Sequence, residues 1–338
     1  MVEQPHTKYI LPDRTYQGLV RSELKRLAEL AGFTGHRLGE AEIVIAELTS
    51  NLVKHAAKGG NILARLITRP AAGIEFISID TGPGMNKPAL MMEDGISTSQ
   101  TLGQGLGAMH RLSNEFDLYS QPKWGTVVYS RLYTDKHFKP PKQGMNTSAI
   151  SVCKKGELVC GDLWVASEAE KKFRLMMIDG LGHGASAHIA ACKGVEVFLD
   201  EPKSSPVEQL RALHDGLKKT RGGVVTVAYI DLRNQQLTYS GVGNITMKVV
   251  SPSRVNGCRS YNGIVGAVMP ATLNDHVLPL DIGSEIIVMH SDGLSSRWDL
   301  MKYPGILQRH GMVLCAALYK DFDRGNDDST ILVAKFVK

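Results

Sequence analysis

Apolar positions along the chain change period several times, and each change marks an element. Val44, Leu48 and Leu52 recur every fourth residue, the helical repeat that buries one stripe against a sheet. On the adjoining face the same repeat stacks Glu47, Asn51 and His55 in a column at i, i+4 and i+8. Such a column offers an amide oxygen for a magnesium ion and a carboxylate able to act as a base or to orient a water. Residues 21–31 read as an amphipathic opening helix. Residues 185–198 read as a helix whose small residues Ala185, Ala187, Ala190 and Ala191 permit close packing on a sheet. The polar tract 204–220 carries Val207, Leu210, Leu213 and Leu217 at helical period.

Between the helices the apolar residues run together as strands, and several strands end in aspartate. Residues 74–79 lead into Asp80, followed by Gly82 and Gly84. An aspartate there can accept a hydrogen bond from an exocyclic amine such as that of adenine, and the glycines let backbone approach a flat base. Gly103, Gly105 and Gly107 form a glycine-rich loop running into a helix, where backbone N–H groups can cradle phosphates. Their spacing is neither that of a dinucleotide-binding turn nor that of a P-loop.

A break follows at 135–147, where adjacent prolines and clustered lysines read as a connector. Beyond it the chain is strand-rich. Strand 174–178 leads to Asp179-Gly180, strand 285–291 leads to Asp292-Gly293, and Asp327-Asp328 precedes a last strand, with Asp162 upstream. Aspartates converging at one end of a sheet form an all-oxygen set suited to magnesium or manganese rather than zinc. Two such ions would share a carboxylate and activate a water against a phosphate ester, with no serine or cysteine nucleophile. His183, in the turn after Asp179, is either a general acid or a brace of that turn.

Taken in order, the first three boxes resemble the GHKL ATPase superfamily, and within it the small bacterial switch kinases of the RsbT/RsbW type. The resemblance covers roughly residues 15–133 and includes 94–98, 114–117 and Gly125-Thr126. It implies an α/β sandwich that binds ATP and Mg2+, with Asn51 on the metal, Glu47 as catalytic base and Asp80 reading adenine. Gly103, Gly105 and Gly107 would close over the phosphates, with His55, Gly82, Gly84 and Thr126 also lining the nucleotide. About 40 residues precede the first box, too few for a dimerising helix pair with a phospho-accepting histidine, so a sensor histidine kinase is not expected.

The second set resembles the metal-dependent serine/threonine phosphatases of the PPM family, in the SpoIIE/RsbU/RsbX branch, over roughly 148–338. The Asp-Gly-Leu-Gly-His-Gly turn at 179–184 and the Gly243-Asn244 pair look most like RsbX. The resemblance implies an α-β-β-α sandwich with two Mg2+ or Mn2+ ions. Asp179 would bridge them, the Gly180 carbonyl would ligate one, and Asp292 with Asp327 or Asp328 would complete the set. Asp162 would be a ligand or sit just behind one. No early arginine box of the kind that grips substrate phosphate is present, so the substrate would be read by protein–protein docking.

Composition narrows the picture further. A length of 338 residues suits two domains. We expect a GHKL-type domain at 1–134, a linker at 135–147 and a phosphatase domain at 148–338. No run of 18 apolar residues suggests a membrane span, and the N-terminus lacks a secretory pattern. Five scattered cysteines, an odd number, fit a reducing cytoplasm. Cys153, Cys160 and Cys192 have the wrong spacing for a metal site. A net charge of +5 in short lysine patches without interleaved aromatics gives no support to nucleic-acid binding. The expected protein is thus an α/β, mixed α+β, two-domain regulator of partner switching. It would phosphorylate and dephosphorylate a STAS-domain, anti-anti-sigma-like protein, with a sigma factor as a further partner. The alternatives are a phosphatase whose GHKL domain only senses ATP or docks a partner, and a non-enzymatic sequestering switch.

Overall fold

The computed structural model describes residues 4–56, 59–86, 105–140, 144–169, 172–200 and 202–337. Two compact units divide the chain, one built from 6–141 and 302–317, the other from 1–5, 142–301 and 318–338.

The first unit is a five-stranded antiparallel sheet covered by helices. Its elements are β1 (Thr7–Leu11), α1 (Gln17–Leu30), α2 (Gly35–His55), β2 (Gly60–Ile67), β3 (Gly73–Asp80), α3 (Gly105–Leu112), β4 (Glu115–Gln121) and β5 (Gly125–Tyr133). The strand order is β1-β2-β3-β5-β4. Strand alternation sends Ile74 and Phe76 of β3, with Ile62, Ala64, Val128 and Leu132, towards the helices, where they meet Leu24, Val44, Leu48 and Leu52. Glu75 therefore points to the opposite face. There it is fully buried and bonded to Arg65 (2.8 Å), His6 (3.0 Å) and Arg131 (2.9 Å). Burial alone would push its carboxyl up, but Arg131, Arg65 and His6 hold it well below the ordinary carboxylate range. Segment 302–317 lies along β4 and β5 of this unit. The His310 ring stacks on Tyr129 with centroids 4.5 Å apart, its backbone N–H donates to Asp117 at 2.6 Å, and Tyr119 donates to the Pro304 carbonyl at 3.2 Å.

The second unit is a pair of stacked antiparallel sheets. Its elements are β6 (Met145–Val152), β7 (Asp162–Ala169), β8 (Lys172–Gly180), α4 (Ala185–Asp200), α5 (Pro206–Leu217), β9 (Gly223–Asp231), β10 (Gln236–Val242), β11 (Thr246–Val250), β12 (Val255–Cys258), β13 (His276–Pro279), β14 (Ile286–His290) and β15 (Ser329–Phe336). One sheet runs β13-β10-β9-β8-β7 and the other β12-β11-β14-β15-β6. The two-residue period divides β8. Leu175 and Met177 enter the core between the sheets with Ala149, Ile287, Met289 and Leu332. Met176 and Ile178 face outward onto Ala191, Val195 and Phe198 of α4 and Leu210 and Leu213 of α5. The expected mixed α/β sandwich architecture is therefore present. Helix α5 is shorter than the periodic tract because Ser205 caps it, accepting from the Glu208 N–H, and Pro206 opens its first turn. A final helix, α6 (Gly311–Phe322), lies between β14 and β15 in the sequence. Among the described residues no helix is long and apolar enough to cross a membrane.

Candidate functional site

In the two-sheet unit, hairpin geometry gathers the aspartates. β7 begins at Asp162 and β8 ends at Asp179-Gly180, and the antiparallel register sets Asp162 directly opposite Asp179. β14 ends two residues before Asp292 and β15 begins just after Asp328, with His290 opposite Ile331, so these turns share one end of their sheet. Gly180 is needed there, since a side chain would overlap the Ala187 carbonyl at the start of α4. Its N–H also donates to the Gly161 carbonyl at 3.1 Å, tying β8 to the start of β7.

The electrostatics follow from this crowding. Burial, reinforced by the charges of Asp162, Asp292, Asp327 and Asp328, pushes the Asp179 carboxyl up to about 9. Burial also pushes Asp162 up to about 7, with Asp328 and Asp292 adding to it against hydrogen bonds from Ser291 and Thr330. Asp162 is 1% exposed, and its Oδ2 has no hydrogen-bond partner. A buried, partnerless carboxylate oxygen among mutually repelling carboxylates is costly unless a cation neutralises it. The donor set is all oxygen, so the residues fit a hard divalent ion.

The adjacent pair Asp327 and Asp328, in the turn that leads into β15, differs in burial and in hydrogen bonding. Asp328 is buried, and its two oxygens accept the backbone N–H groups of Lys154 (2.7 Å) and Gly161 (2.8 Å). Asp327 is half-buried and accepts the Asp328 N–H through one oxygen at 3.0 Å. The Asn244 amide donates to Asp292 at 2.9 Å; in the sequence this asparagine carries no more than a family likeness. His183 is exposed and its Nδ1 lies 2.6 Å from a Glu157 carboxylate oxygen on the β6–β7 loop, a partner with no signal in the sequence. Cys153 and Cys160 come together on the same loop, and Cys192 instead lies 3.4 Å from Nε2 of His188.

In the single-sheet unit, α2 carries Glu47 and Asn51 half-buried and His55 exposed, while Val44, Leu48 and Leu52 are buried. A side chain on Gly105, the first residue of α3, would collide with the Glu47 carboxylate, so the glycine loop's helix begins against that residue. Asp80 closes β3, and one of its oxygens accepts the N–H groups of Gly82 (2.7 Å) and Thr126 (3.2 Å). A side chain on Gly82 would meet the His55 carbonyl; Gly84, at φ +71°, would meet the Gln121 carbonyl. These approaches bring the end of α2, the end of β3 and the start of β5 together, with α3 beside Glu47. Gly107 is buried within α3. Gly103 and the box at 94–98 lie outside the described residues.

Comparison with known proteins agrees with both halves. A family model described as stage II sporulation protein E (SpoIIE) matches residues 169–337, and one described as a histidine kinase-like ATPase domain matches 11–131. The chain is 35% identical over 104 residues to the serine/threonine-protein kinase RsbT of Bacillus subtilis (strain 168), covering 31% of this chain and 78% of that protein. It is 29% identical over 157 residues to the phosphoserine phosphatase RsbX of the same organism, covering 45% of this chain and 75% of that protein. A solved structure of RsbX in complex with magnesium matches with a TM-score of 0.50 at 20% identity, covering 58% of this chain and 98% of that one. A chain from a study of the bacterial stressosome as a modular system adapted to control secondary messenger signaling matches with a TM-score of 0.54 at 24% identity, covering 57% and 100%. The last two matches bear on the fold alone. The chain belongs to the SpoIIE family and joins, in one polypeptide, a histidine kinase-like ATPase domain similar to RsbT and a SpoIIE domain similar to RsbX.

Proposed function

We propose that this protein is a bacterial partner-switching regulator that both adds and removes a phosphate on a serine or threonine of a STAS-domain, anti-anti-sigma-like protein. The observation that carries the phosphatase half is the partnerless Asp162 Oδ2 beside Asp179, inside a carboxylate cluster that repels itself. Two Mg2+ or Mn2+ ions bound there would supply the positive charge that draws in a phosphate ester and acidifies the attacking water. Asp179, Asp292, Asp327 and the Gly180 carbonyl are the proposed ligands, with Asp162 completing the set. Asn244 orients Asp292 through its amide. Asp328 is proposed as a brace, because it is the buried member of the pair and accepts the backbone N–H groups of Lys154 and Gly161, which fixes the turn leading into Asp162. His183, whose Nδ1 lies against the Glu157 carboxylate, is proposed to hand a proton to the departing serine oxygen.

In the ATPase domain, Glu47 is proposed to take the proton from the attacking hydroxyl and Asn51 to hold the magnesium of ATP. Asp80, already accepting two backbone N–H groups, is proposed to receive the adenine amine. His55, Gly82, Gly84 and Thr126 border that position, and Gly105 and Gly107 approach the phosphates. Similarity to a kinase and to a phosphoserine phosphatase of one organism supports a shared phosphorylated partner.

The test uses the full chain with a STAS-domain protein of its own genome. Manganese-dependent phosphate release from the phosphorylated protein is expected, lost in Asp179→Asn. Transfer of labelled phosphate from ATP is expected, lost in Glu47→Ala. Release without any transfer would reduce the reading to a phosphatase with an ATP-dependent docking domain. Neither activity, with partner binding retained, would leave a sequestering switch.

A further inference from the structure

The loop between β6 and β7 holds a second group of metal-ligating atoms with different chemistry from the aspartate centre. The Cys153 and Cys160 sulfurs and an Asp328 carboxylate oxygen all lie within 4.8 Å of one another. The arrangement is built by the backbone. The N–H that follows each cysteine, on Lys154 and on Gly161, donates to the same Asp328 carboxylate at 2.7 and 2.8 Å. The loop is folded tightly enough for this by the Glu157 N–H to Lys154 carbonyl bond (3.0 Å) and by Gly156 at φ +94°. Cys160 is buried and Cys153 half-buried, so an ion could enter past Cys153 and keep one position open to water.

We infer that Cys153, Cys160 and Asp328 form a binding site for a thiophilic divalent cation of the zinc class, separate from the hard-ion centre. Two sulfurs and one oxygen are the mixed soft set that Zn2+ accepts and Mg2+ refuses. Bonds of about 2.3 Å to sulfur and about 2.1 Å to oxygen place tetrahedral ligands roughly 3.5–3.8 Å apart, and the three atoms already lie within 4.8 Å of one another. Each Asp328 oxygen keeps a second lone pair beyond its backbone hydrogen bond, and hydrogen-bonded carboxylates of this kind are the usual partners of a metal. The Asp162 carboxyl, whose charge acts on both thiols, favours a cation here as well.

The site touches the phosphatase centre through Asp328 and through the short step from Cys160 to Asp162. Asp328 holds Gly161, the neighbour of Asp162, and precedes β15 beside Asp327. A zinc-class ion drawing on Asp328 would therefore act on two proposed ligands of the hard-ion centre without sharing either.

Cobalt(II) gives the test, since thiolate ligation produces a near-ultraviolet charge-transfer band that oxygen ligation does not. The reduced full-length protein, in excess Mg2+ to fill the aspartate centre, is titrated with Co2+ alone. One equivalent is expected to develop the band, and Zn2+ is expected to bleach it. Cys153→Ser and Cys160→Ser should each remove it, and Asp179→Asn, which disables only the hard-ion centre, should keep it. No band in the wild-type protein, or a band that persists in both serine variants, overturns the site. Matched unfolding temperatures of the variants exclude a folding defect as the cause of a lost band.

Discussion

Asp162 stands directly opposite Asp179 across the β7–β8 ladder, the first residue of one strand facing the next-to-last of the other. Like charges set opposite one another in a sheet destabilise it, and here both are sheltered from water. The repulsion is relieved by a bound cation or, without metal, by taking up protons, as the raised Asp179 and Asp162 carboxyls show. Asp179→Asn should lower metal-dependent phosphate release roughly a hundredfold or more. The same substitution should stabilise the metal-free protein, by on the order of 1–2 kcal/mol, because an amide does not have to take up a proton on folding as the raised Asp179 carboxyl does. Thermal unfolding in chelator, beside an assay in Mn2+, measures both. A variant that is inactive and also less stable without metal would contradict this account of the site.

The two neighbours Asp327 and Asp328 should part company on mutation. Asp328→Ala strands the buried N–H of Gly161 and the half-buried N–H of Lys154, and an unfolding cost of about 2–4 kcal/mol is expected. Asp327→Ala should change stability by no more than about 0.5 kcal/mol in chelator while abolishing activity. Chemical denaturation of both variants, each assayed over a manganese titration, separates the brace from the ligand. Equal destabilisation by the two would remove the distinction.

That distinction was beyond the sequence, and its reason is general. Two adjacent aspartates in a turn carry no periodicity that would say which of them meets the Lys154 and Gly161 amides. Glu47 and Asn51 were legible because helical period alone fixes their column, and the Asp-Gly turns were legible because strands ran straight into them. Contacts set by register were not. Glu75 reads as a polar interruption in an apolar strand, and only the pairing of β3 with β2 and β5 brings Arg65 and Arg131 opposite it. Cys153 and Cys160 looked badly spaced for a metal because their partner, Asp328, comes from far along the chain. Nothing in the apolar pattern of 302–317 foretold that His310 would stack on Tyr129.

Gly105 offers a narrow test of the nucleotide site. A methyl group there runs into the Glu47 carboxylate, so Gly105→Ala must push Glu47 or the start of α3 aside. Phosphate transfer from ATP should fall as far as in Glu47→Ala, on the order of a hundredfold. Release of phosphate from a phosphorylated partner in Mn2+ without ATP should stay near wild type in both. Unchanged transfer in Gly105→Ala would place Glu47 away from the chemistry.

Buried charge on the far face of the ATPase sheet predicts two further outcomes. Glu75→Gln leaves Arg65 and Arg131 without their shared carboxylate and should cost about 3–5 kcal/mol. Glu115, next along the same face, gives a pH dependence. Burial would raise its carboxyl, but the His310 hydrogen bond and the Arg131 charge, aided by Tyr133, bring it from 4.5 down to about 2. Its folded value lies below its unfolded value, so its contribution is complete above about 4.5 and disappears as pH falls towards about 2. The contribution at neutral pH is at most about 3 kcal/mol, the free-energy equivalent of that shift. Unfolding temperatures measured from pH 7 to pH 3 should fall more steeply in the wild type than in Glu115→Gln, whose side chain does not titrate. A His310→Ala variant removes one of the groups holding Glu115 down and should lie between the two. Parallel curves for the three proteins would show that the carboxylate is not held down in the folded state.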